Sequence, residues 1–99
     1  MMEKLERVAD ETREMISKMD PTTRTFKISV EHCNMDEITP HQNNTATGHA
    51  IVVRDWGDRL VGLAGIADDI DQNGGSRILF YAPRRSSLIV KIADKIEKL

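Results

Sequence analysis

The sequence contains one cysteine, Cys33, so it cannot form an internal disulfide. Only four residues are aromatic, so the core must consist mainly of Ile, Leu, Val and Ala: Phe26, Trp56, Phe80 and Tyr81. No apolar segment approaches the ~20 residues that a transmembrane helix needs. The first twenty residues also lack the apolar core of a secretory signal. We therefore expect a cytoplasmic protein that does not span a membrane.

The chain has no large excess of either charge, because its formal net charge is −2. Domains that bind nucleic acid through bulk charge are usually strongly basic, so this balance argues against a nucleic-acid partner. The hydrophobic residues, 39% of the chain, and the charged residues, 30%, suit a folded globule rather than a disordered tail. We predict a single domain over residues 1–99.

Two segments have the apolar spacing of an amphipathic helix. In residues 2–19, apolar side chains recur at intervals of three and four, and Asp20-Pro21 ends the pattern. The second helix begins with Ser86 or Ser87 as its cap and continues to Leu99. Its predicted apolar face consists of Leu88, Ile89, Ile92, Ala93, Ile96 and Leu99.

Three segments are typical of strands: residues 24–33, 49–54 and 77–82. The first alternates apolar and polar residues, which predicts an antiparallel sheet with one buried face. Residues 34–48 are polar and predict the longest loop.

Residues 59–70 allow two interpretations. They can form a strand that follows a turn at Asp55–Asp58, or a helix with one apolar face. Gly62 and Gly65 would each cost such a helix ~1 kcal/mol relative to alanine, which favours the strand. The predicted fold class is therefore α+β: a small, mostly antiparallel sheet of three to four strands between terminal helices, in the order α-β-β-β-β-α. The alternative order is α-β-β-α-β-α.

All three histidines and the cysteine fall within residues 32–49: His32, Cys33, His41 and His49. These residue types bind zinc, but their spacing matches no zinc finger. His32 and Cys33 would also point to opposite faces of a strand. We interpret them as surface histidines and a small buried cysteine, with metal binding as the alternative.

A second stretch resembles half of a calcium-binding loop. Asp69, Asp71, Asn73 and Gly74 follow the pattern D-x-D-x-N-G, but Phe80 stands where the loop needs a bidentate glutamate. We interpret the stretch as an acidic turn, and we predict no metal and no cofactor.

The junction between the last strand and the last helix is the strongest candidate site. Pro83 ends the strand, and Arg84-Arg85-Ser86-Ser87 lead into the helix. The first N–H groups of a helix have no acceptor within the helix, and arginine binds carboxylates and phosphates through paired hydrogen bonds. We predict that Arg84, Arg85 and Ser86 contact a partner or an anion. The alternative is a solvated loop whose arginines pair with acids of the same chain.

Trp56 lies in the turn Asp55-Trp56-Gly57-Asp58. An exposed tryptophan suits a binding hot spot, and the alternative is a side chain that folds back over the sheet edge.

No catalytic set and no cofactor motif occurs in the sequence. We therefore predict a small non-enzymatic protein-interaction module of the inhibitor, immunity, phage host-takeover or adaptor kind. An open edge strand makes a homodimer plausible. One alternative is a small-anion or nucleotide-binding protein that holds a phosphate-containing ligand at the Arg84–Ser87 corner. Another is a metal-binding protein that uses the His32–His49 stretch.

Overall fold

The computed structural model describes residues 2–19, 21, 25–42, 45–68, 78–84 and 86–99. Within these ranges the chain forms a helix, four strands and a closing helix, with one short helical turn after the first strand. The elements are α1 (Met2–Ser17), β1 (Lys27–Asn34), α2 (Met35–Ile38), β2 (Thr47–Arg54), β3 (Leu60–Ala67), β4 (Ile78–Tyr81) and α3 (Ser87–Glu97). This order confirms the predicted α-β-β-β-β-α fold class. None of the helices in the described ranges is long and apolar enough to cross a membrane.

The four strands form one sheet in the order β1-β2-β3-β4, and every neighbouring pair is antiparallel. Residues 60–67 are a strand, so the helical alternative for that segment is wrong. The close packing around Gly62 shows why this strand contains a glycine. A Cβ atom there would lie 2.6 Å from the carbonyl oxygen of Tyr81 and 2.7 Å from Cγ1 of Ile89. The glycine therefore lets α3 and β4 approach β3 more closely than a side chain would allow.

Both terminal helices pack on the same face of the sheet. Their apolar stripes join the inward residues of the strands in one core: Leu5, Val8, Ala9, Ile16, Ile28, Ile51, Val53, Ala64, Leu88, Ile89, Ile92, Ala93 and Ile96. Because these residues recur at helical and strand spacing, the two predicted helix faces are confirmed except at Leu99. The prediction is wrong there, because α3 ends at Glu97 and Leu99 is 40% exposed.

A smaller apolar cluster occupies the other face of the sheet: Cys33, Met35, Ala46, Ala50, Val52, Leu63, Ala67 and Leu79. Met35 belongs to α2, which forms inside the segment that the sequence predicts as a loop. The Asn34 side chain accepts a hydrogen bond from the backbone N–H of Asp36 at 3.0 Å, which caps this helix. The prediction of an uninterrupted loop over 34–48 is therefore wrong at its beginning.

Candidate functional site

The turn between β2 and β3 is fixed by the carboxylate of Asp55. Its Oδ1 atom accepts hydrogen bonds from the backbone N–H groups of Gly57 at 2.9 Å and Arg59 at 3.0 Å. The Asp55 N–H in turn donates to the Arg59 carbonyl at 2.9 Å. This network holds the turn so that Trp56 projects into solvent, with 79% of its surface exposed. The interpretation in which Trp56 folds back over the sheet edge does not fit this exposure.

A cavity of about 370 Å³ opens beside this turn. It lies where β1 begins, β2 ends, β3 begins and β4 ends, next to the first turn of α3. One part of its wall is apolar and the other is polar, and the lining residues are Phe26, Asp55, Arg59, Leu60, Val61, Pro83, Arg84 and Ser86. A volume near 370 Å³ lies within the range of ~300–1,000 Å³ that is usual for ligand pockets.

The two arginines of the cavity have no acidic partner in the part of the chain that the structure describes. Among the residues that the structure describes, neither Arg59 nor Arg84 forms an ion pair. Asp55 is the only acid among the described lining residues, and one of its oxygens already accepts two backbone hydrogen bonds. The described part of the wall therefore carries one positive charge that no neighbouring acid balances.

The start of α3 adds further donors to the same wall. Ser86 is the N-cap residue in an extended conformation, but its side chain makes no capping hydrogen bond. No acidic residue lies in the first turn of α3. The Ser86 hydroxyl and the positive end of the helix dipole therefore both remain available to an anion.

The structure thus places two of the predicted corner residues, Arg84 and Ser86, in a cavity, and it places Trp56 on the adjoining turn. Arg85 lies outside the described residues. Sequence reasoning missed Arg59 as a member of this site. The predicted order of antiparallel strands could have indicated Arg59, because an antiparallel β3–β4 pair brings the beginning of β3 beside the end of β4.

A second polar cluster lies at the opposite end of the sheet. His32 and His49 face each other across β1 and β2, with ring centroids 5.0 Å apart in an edge-to-face arrangement. Nε2 of His32 lies 2.9 Å from Oδ2 of Asp68, and Nδ1 of His49 lies 3.9 Å from Oδ1. The Thr47 hydroxyl donates to Oδ2 at 3.3 Å. The hydrogen bond from His32 is the main reason why the pKa of Asp68 lies below its usual value, and Thr47 and the charge on His49 add to it.

The other members of the histidine stretch do not join this cluster. Cys33 lies in the apolar cluster on the opposite face of the sheet, and His41 is exposed beyond α2. Burial raises the pKa of the Cys33 thiol, and the charge of Glu31 raises it further, so the thiol is a poor nucleophile. Within the described ranges, no group of three or more His, Cys, Asp or Glu side chains is placed to hold a metal ion. Asp69, Asp71 and Asn73 lie outside those ranges.

Comparison of the chain with protein-family models, curated proteins and solved structures found no significant match. The function must therefore be inferred from the chemistry of the two polar sites.

Proposed function

We propose that this protein is a small non-enzymatic interaction module that binds a protein partner at one end of its sheet. The docking area is the turn-and-cavity surface, which consists of Trp56 and the eight residues that line the cavity. The observation that carries the proposal is a 79% exposed tryptophan next to two arginines that form no ion pair with any described residue. The inhibitor, immunity, host-takeover and adaptor classes all act by such binding.

Tryptophan and arginine are the residues most enriched among interface hot spots. Exposure of Trp56 leaves a large apolar surface in water, and a partner that covers it gains the corresponding hydrophobic free energy. The hydrogen bonds of Asp55 hold the turn in place before binding, so little conformational entropy is lost when the partner docks.

Affinity capture from an extract of the source cells tests the proposal. The wild-type protein and Trp56→Ala serve as baits, and Arg7→Ala is the matched control because Arg7 is exposed on α1 and does not line the cavity. A partner that is captured by wild type and control is then purified and titrated. We expect Trp56→Ala to weaken its binding at least tenfold, or ~1.4 kcal/mol. If folded Trp56→Ala and folded Arg84→Ala proteins both bind this partner with wild-type affinity, the proposal is contradicted.

The cavity volume also supports a second candidate, a small-anion or nucleotide-binding protein. The exposed Trp56 favours the first candidate, because it lies outside the cavity wall and a small molecule held in the cavity would leave it uncovered. Tight, saturable binding of a nucleoside monophosphate by a protein that captures no partner would favour the second.

A further inference from the structure

The charge of the described cavity wall indicates which group of a partner it can bind. Among the described lining residues, Arg59 and Arg84 contribute two positive charges, and Asp55 contributes one negative charge. One positive charge therefore remains in this part of the wall, and one carboxylate would neutralise it. A phosphoryl group with nearly two negative charges would give this part of the wall a negative net charge.

We propose that the cavity binds the carboxylate of a single acidic side chain, Asp or Glu, of the partner protein. This inference rests on the proposed function and identifies the group that anchors the partner at the turn-and-cavity surface. The carboxylate accepts hydrogen bonds from one or both guanidinium groups and from the Ser86 hydroxyl, whose oxygen and hydrogen are not used for capping.

The rest of the wall suits the carbon atoms that carry such a carboxylate. Phe26, Leu60 and Pro83 form an apolar part of the lining, against which methylene groups of the partner can pack. Those contacts exclude water, and an ion pair is stronger where water is excluded. The arrangement therefore selects an acidic group attached to an apolar stem over a free, fully hydrated anion.

Small probes test this assignment without the partner. Uniformly ¹⁵N-labelled protein is titrated with 3-phenylpropionate, with its neutral isostere 3-phenylpropanamide, with phenyl phosphate and with inorganic phosphate, all at the same ionic strength. We expect 3-phenylpropionate to give saturable shifts of the Arg59 and Ser86 amide signals. We expect the neutral amide to bind at least tenfold more weakly, because it lacks the charge that the arginines recognise.

Substitutions identify the cations. Arg59→Gln and Arg84→Gln keep a long polar side chain and remove the charge, and Arg7→Gln is the control. Because all three arginines are exposed, we expect folded proteins with unchanged dispersion of the amide spectrum. Each cavity variant should bind 3-phenylpropionate at least fivefold more weakly than wild type, and the control should bind it equally.

The outcomes separate this inference from the proposed function. Tighter binding of phenyl phosphate than of 3-phenylpropionate would overturn the carboxylate assignment in favour of a phosphorylated residue. Equal binding of the acid and the amide, or no shift at the cavity with any probe, would overturn the proposal that the cavity binds an acidic side chain. In both cases the proposed function would still hold if a partner binds the wild-type protein and binds Trp56→Ala more weakly.

Discussion

Truncation of Ile89 is the most direct test of the way in which α3 packs on the sheet. Ile89 is fully buried, and its Cγ1 atom lies 2.7 Å from the position that a Cβ of Gly62 would occupy. Ile89→Ala removes three buried carbon atoms, which costs about 2–3 kcal/mol in transfer free energy alone. Gly62 has no side chain that could move into the space, so a cavity remains and raises the cost. We expect a loss of about 3–5 kcal/mol, a large part of the ~5–15 kcal/mol that is usual for a small domain.

Urea unfolding followed by far-UV circular dichroism measures this loss. Tryptophan fluorescence is a poor probe, because Trp56 is already 79% exposed in the folded state. Val90→Ala is the matched control, since Val90 is the next residue of the same helix and is 46% exposed. Alanine has a higher helix propensity than valine, so the control should be neutral or slightly stabilising. If Ile89→Ala costs no more free energy than Val90→Ala, α3 does not pack as described.

Further predictions concern the core and the cluster around Asp68. Ile16→Asp and Ile92→Asp each place an unpaired charge in the core, and we expect each to unfold the protein or cost more than about 4 kcal/mol, as seen in thermal melts. Asp68 has a lowered pKa in the folded state, so its contribution to stability is present above the unfolded pKa and is lost as the pH falls through the folded value. The stability difference between wild type and Asp68→Asn should therefore shrink as the pH falls below about 4, and a difference that grows there would refute the contact with His32. Treatment with a chelator should leave the melting temperature unchanged, because removal of a structural zinc would remove folding free energy directly, and a drop of many degrees would revive the metal alternative.

The parts of the fold that sequence could predict are those with a repeating pattern. The apolar spacing in residues 2–19 identifies α1, and the same spacing after Ser86 identifies α3, because a helix must bury one stripe of side chains. The glycine content of residues 60–67 decided correctly between strand and helix. In contrast, α2 has four residues, which is too short for any period to show, and only the capping side chain of Asn34 marks its beginning.

The part of the candidate sites that sequence could not predict depends on strand register. Asp68 is 36 residues from His32 along the chain, and their contact requires that Ala67 pair with Gly48 so that the residue after β3 lies beside Thr47. Nothing in the local composition around Asp68 indicates that register.

The register of the β3–β4 pair alone would have been enough to predict that Arg59 lies at the cavity. Leu63 pairs with Tyr81, so the residues that precede Leu63 run beside those that follow Tyr81. This register brings Arg59 to the junction where composition alone had already placed Arg84. A single arginine before a helix is equally consistent with a solvated loop. Two arginines that line one cavity and form no ion pair with any described residue are the arrangement on which the proposed contact with an acidic group rests.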